Sequence, residues 1–64
     1  MPRKIRELIA EAQREGFKNI GGKGSHRNFI HPTGVKWTCS GQPGDDAKRY
    51  QEKELAVKIA ETKR

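Results

Sequence analysis

Cysteine beyond a single residue, long apolar runs and, over nearly half its length in the middle, acidic residues are what this chain lacks. One cysteine, Cys39, cannot form an internal disulfide, and Cys39, His26 and His31 are too few soft ligands for a closed structural zinc site. No stretch approaches the roughly 18 apolar residues of a membrane span, and Met1-Pro2-Arg3-Lys4 has no signal-peptide apolar run. These absences predict a cytoplasmic protein without membrane association, stabilised by packing or by a partner. At 64 residues, the chain has room for one domain, 1–64, because so short a chain buries only about 60% of its unfolded surface.

The missing acids are the most informative absence. Between residues 16 and 44 there is no Asp or Glu, while Lys18, Lys23, Arg27 and Lys36 give that segment +4 of the total +6. The flanking segments mix both signs and carry +1 each. An anion is drawn to the middle because nothing there repels it. In a cytoplasmic protein this points to nucleic acid, whereas mixed charge would serve solubility equally well.

Ile5, Leu8, Ile9 and Ala12 form an amphipathic stripe, predicting a helix from about Arg3 to Glu15 with Gly16 just past its end. Three short strands follow, over Phe17–Ile20, His26–His31 and Val35–Ser40. They are joined by Gly21-Gly22-Lys23-Gly24-Ser25 and by His31-Pro32-Thr33-Gly34, the latter fitting a type I turn. Val35, Trp37 and Cys39 alternate with Lys36, Thr38 and Ser40. Because Phe29 and Ile30 are adjacent, one faces away from the core or the strand bulges. Asp45 or Asp46 is expected to cap a second helix. In it Leu55, Ala56, Val57, Ile59 and Ala60 form the apolar arc, Gln51 lies on the polar arc, and the first two turns project beyond the core. The result is an α+β two-layer fold, α-β-β-β-α, with a three-stranded antiparallel sheet, both helices on one face and the other face open.

Catalytic candidates are few. Gly22-Lys23-Gly24 has no following Ser or Thr for a phosphate loop, and Arg27 stands where a dinucleotide fingerprint needs its third glycine. All carboxylates lie in or beside the helices, away from the histidines in sequence, so neither a metal nor a cofactor is expected. Cys39, in phase with Val35 and Trp37, reads as a core residue, and Trp37 as the core's anchor. What remains is the segment from Gly21 to Arg27. His26 can transfer a proton near neutrality, Lys23 and Arg27 can hold a phosphate, Ser25 can orient it, and the glycines let backbone N–H groups approach an anion. RNA supplies its own nucleophile, the 2′-hydroxyl. A plain hairpin turn would leave the same residues. His31 reads as a turn or surface residue, at odd spacing from His26.

Beyond these local features, the chain resembles the HicA toxins of prokaryotic type II toxin–antitoxin modules. The resemblance rests on a first helix ending in Gly16-Phe17, on Lys23-Gly24-Ser25-His26, on Asn28-Phe29-Ile30-His31-Pro32, and on a short strand and last helix. It implies a fold like the double-stranded-RNA-binding domain, cleavage of messenger RNA and neutralisation by a HicB-type antitoxin. DNA would be reached only through the antitoxin complex. The family's catalytic histidine matches His26, with Lys23, Gly24, Ser25, Arg27 and Lys36 expected to contact RNA. The chain departs from the family where Gly21 replaces a frequent Arg, Gly22 a longer side chain, and Thr38-Cys39-Ser40 a Pro and His. Two other readings fit the charge pattern: a noncatalytic RNA-binding module of the same fold, and a small basic protein-interaction subunit.

Overall fold

In the computed structural model, which describes residues 3–63, the order is α1 (Ile5–Arg14), β1 (Lys18–Gly21), β2 (Arg27–Ile30), β3 (Lys36–Cys39) and α2 (Arg49–Thr62). The strands form one antiparallel sheet in sequence order, as the short connections require. Ile5, Leu8 and Ala12 of α1 and Leu55 of α2 close one core over Phe29 and Trp37, so both helices cover the same sheet face. Phe29 and Trp37 sit directly opposite each other with ring centroids 5.2 Å apart. A chain of this length holds about 3–10 kcal/mol of net stability, and truncating either ring costs about 3–5 kcal/mol. This aromatic pair therefore decides whether the domain folds.

Helix α1 ends as its glycine predicts. Gly16 has φ +104°, its N–H bonds to Gln13 O (3.1 Å), and Phe17 N–H bonds to Ala12 O (3.0 Å). This is a Schellman stop, with Phe17 and Ala12 both in the core. The Phe29–Ile30 ambiguity resolves with Phe29 inward and Ile30 on the open face. The sheet does bulge, but in β1. Asn19 pairs with Phe29 and Gly21 with Asn28, leaving Ile20 unpaired and 58% exposed, while Asn19 Oδ1 accepts the Gly21 N–H (2.7 Å).

Helix α2 corrects four expectations. Neither Asp45 nor Asp46 caps it. Residues 45–47 run extended beside the start of α1, through Ile5 N–H to Asp45 O (2.9 Å), Ala47 N–H to Arg3 O (2.7 Å) and an ion pair of Lys4 with Asp46 (2.6 Å). A chain engaged in that bridge cannot also turn helical, so α2 starts at Arg49. The Gln51 side chain caps it by accepting the Lys48 N–H (2.8 Å). Gln51 is accordingly buried rather than on a polar arc, its Nε2 donating to Ser40 O (3.0 Å). The first turns dock instead of projecting. Leu55 and Ile59 face inward, and Ala56, Val57 and Ala60 are exposed.

The open face carries two rows set by the strand register. Lys18, Ile30 and Lys36 lie side by side across the three strands, and Gly21, Asn28 and Thr38 form the next row.

Candidate active site

The turn between β1 and β2 is shaped by its glycines. Gly21 has φ +103° and Gly24 φ +57°, a region where a Cβ is strained. The Lys23 carbonyl accepts the His26 N–H at 2.9 Å, closing a four-residue turn with Gly24 at its second position. Gly22 is glycine for a different reason. A Cβ there would sit 2.0 Å from the His26 carbonyl oxygen and 3.0 Å from the Arg27 Cα. The chain doubles back against the backbone of His26 with no room for a side chain.

This turn delivers His26 to solvent one residue before β2. His26 precedes the strand with the same parity as Asn28 and Ile30, the strand residues of the open face. Lys23 and Gly24 are exposed and Ser25 is half-buried. Among the described residues, the N–H groups of Gly24 and Ser25 have no protein acceptor. The turn thus gathers one imidazole, one ammonium, one hydroxyl and two backbone donors, with no carboxylate in the same stretch of chain. Such a set can receive a phosphate and move a proton beside it.

The other expected site residues are placed differently. Arg27 alternates toward the core side, half-buried, and its Nη1 donates to Gly41 O (3.1 Å). It ties the loop after β3 to the start of β2, leaving its remaining N–H donors to solvent or a ligand. Lys36 lies at the far end of β3 from His26, because Arg27 pairs with Cys39 and Ile30 with Lys36. Lys36 therefore stands apart from the turn and from His26. Cys39 is a core residue, 1% exposed, and burial pushes its thiol pKa up despite the opposing pull of Arg27. It stays protonated at neutral pH and is no nucleophile.

His31 proves structural. Its Nε2 donates to Glu15 O at the end of α1 (3.0 Å), and its Nδ1 accepts the Thr33 N–H (3.1 Å). The ring packs edge-on against Phe17 with centroids 5.2 Å apart. Gly16 lies so close that a Cβ would be 3.0 Å from Nε2. The imidazole clamps the end of α1 to the end of β2 and takes no part in the turn.

Among the described residues, no group of three or more His, Cys, Asp and Glu is placed to hold a metal. A cavity of about 190 Å³ at the start of α2, lined in part by Asp45 and Asp46, takes in none of the turn residues. The sequence reading missed Asn28, whose Oδ1 accepts the Thr38 hydroxyl at 2.9 Å on the open face. The register of β2 against β3 was the signal that could have found it.

A search of curated proteins finds no match. The family model described as "HicA toxin of bacterial toxin-antitoxin" matches residues 5–61, from the first residue of α1 to the last turn of α2. With nearly the whole fold covered, the glycine-built turn and His26 included, the chain belongs to the HicA family of bacterial toxin–antitoxin toxins.

Proposed function

We propose that this toxin is an endoribonuclease that cleaves messenger RNA in the cytoplasm without a metal, using His26, and that a HicB-type antitoxin neutralises it. One observation carries the reading. A turn of unusual backbone geometry presents an exposed imidazole beside Lys23, Ser25 and two backbone N–H groups with no acceptor among the described residues, on an acid-free stretch of chain. Lys23, the Ser25 hydroxyl and the N–H groups of Gly24 and Ser25 hold the scissile phosphate, with the remaining donors of Arg27 at its edge. The 2′-hydroxyl attacks phosphorus as its proton leaves, and the bond to the 5′-oxygen breaks as that oxygen gains one. His26 serves one of these transfers, and another acid or water the other. Lys36 holds RNA farther along the sheet. The antitoxin covers the basic middle segment, and DNA is engaged only through that complex.

The test is cleavage of a messenger RNA by purified protein in excess EDTA, wild type against His26→Ala. Wild-type cutting should persist in chelator, and the variant should lose about 10²–10⁴-fold in rate while keeping its melting temperature. Intact RNA-binding with no cutting by the wild type would favour the noncatalytic module instead. Inhibition by EDTA reversed by magnesium would overturn the mechanism.

A further inference from the structure

We infer that the open face of the sheet is a base-reading platform for single-stranded RNA, with the Asn28–Thr38 pair selecting the base of the nucleotide next to the one over His26. This rests on the cleavage reading only for the direction in which the strand enters. The first observation is the pair itself. The Thr38 hydroxyl donates to Asn28 Oδ1 at 2.9 Å, although both residues are exposed. That bond fixes the carboxamide and, among the described residues, leaves its NH₂ without a protein acceptor, while the Thr38 oxygen keeps its lone pairs. A donor and an acceptor held side by side match the paired groups along a base edge, the logic by which Asn reads adenine.

The second observation is position. Asn28 lies two residues after His26, at the same parity and about 7 Å of extended chain away, which is the reach of one nucleotide. The third is the neighbouring row. Half-buried Ile30 lies between Lys18 and Lys36, so an apolar pad for a base or sugar is flanked by two cations for phosphates. No strand residue and no connecting turn carries an acid.

Size selects the single strand. Three strands of four residues offer about 10 by 13 Å, room for two or three nucleotides. Duplex recognition of the double-stranded-RNA-binding kind spans about 16 base pairs over successive minor grooves. Unstacked bases are also the ones whose edges lie open to side chains.

The experiment measures equilibrium binding of short single-stranded homopolymers of each base, and of a duplex of equal length, to the full chain carrying His26→Ala so that nothing is cut. The same is done with Asn28→Ala or Thr38→Val added, each checked by melting temperature. The His26→Ala protein should prefer single strands to duplex and one base by about 5-fold or more, and either added substitution should bring the preferred homopolymer down to the level of the others. In parallel, the wild type should cut a random-sequence RNA with a preference at one position flanking the break, lost in Asn28→Ala and Thr38→Val. Tighter duplex binding, absence of base preference, or a preference unchanged by both substitutions overturns the assignment. Base-selective binding without cutting by the wild type removes the cleavage reading and leaves this one standing.

Discussion

Substituting Gly22 by Ala tests whether the turn is as tight as its backbone shows. The new Cβ would lie 2.0 Å from the His26 carbonyl oxygen, 2.8 Å from its carbonyl carbon and 3.0 Å from Arg27 Cα. All three are backbone atoms, so no side chain can swing aside. Reaching ordinary contact near 3.4 Å requires the two strands of the turn to part by about 1.4 Å. Overpacking of this kind costs about 1–3 kcal/mol. Because the turn lies outside the core, the helices and the Phe29–Trp37 pair stay in place. In a domain this small, each kcal/mol lowers the melting temperature by about 4–8 °C. Displacing His26 by about 1 Å should lower the cleavage rate by about 100-fold. Gly44→Ala is the matched control, since Gly44 has no positive φ and nothing within 4 Å of its Cβ. The measurements are thermal melts by circular dichroism and single-turnover RNA cleavage. Gly22→Ala with a melting temperature within about 1 °C of wild type and an unchanged rate would refute the turn geometry, and with it the account of how His26 is held.

Further expectations concern the second histidine, the basic surface and the thiol. His31→Ala should cost about 1–3 kcal/mol in urea unfolding, because it deletes the bonds to Glu15 O and Thr33 N–H and the edge contact with Phe17; a midpoint equal to wild type would show the clamp contributes nothing. Lys23→Glu should weaken RNA binding and flatten its dependence on salt by roughly 0.7 in log–log slope, whereas Lys53→Glu, on exposed α2 beside Glu52 and Glu54, should change neither; equal losses would put the RNA surface elsewhere. Cys39, its thiol pKa raised mainly by burial, binds its proton more tightly folded than unfolded. Its contribution to stability is whole below the unfolded thiol value of about 8.5 and is lost as pH rises through the folded one; urea midpoints from pH 7 to 10 should fall more steeply for wild type than for Cys39→Ala, and parallel curves would contradict this.

The features legible in the sequence are those decided within a few residues. The stripe of Ile5, Leu8 and Ala12 and the glycine after it determine α1 and its Schellman stop. The alternation of Trp37 and Cys39 determines which face of β3 is buried. The turn ahead of His26 follows from glycine's tolerance of positive φ, though composition could not show that Gly22 is excluded from bearing a side chain by contact with His26 rather than by its own dihedrals. Elimination among the chain's chemical groups led to the turn that holds His26, and the resemblance to the HicA family then matched that residue to the family's histidine.

What escaped the sequence depends on partners far along the chain. Asp45 and Asp46 have the right chemistry for a helix cap, yet they are already engaged with residues 3–5, forty residues away, and a backbone bridged there cannot begin a helix. Gln51 then takes over the capping and is buried against Ser40, while Val57 on another face of α2 meets solvent. The two histidines make the same point. By composition they are equivalent, and His31, beside Phe17 and the end of α1, has both ring nitrogens engaged, while among the described residues the turn holds His26 through its backbone N–H and no hydrogen bond engages its ring. A ring committed at both nitrogens cannot shuttle a proton without breaking a structural bond, so tertiary contacts, rather than residue type, leave His26 as the histidine free for chemistry.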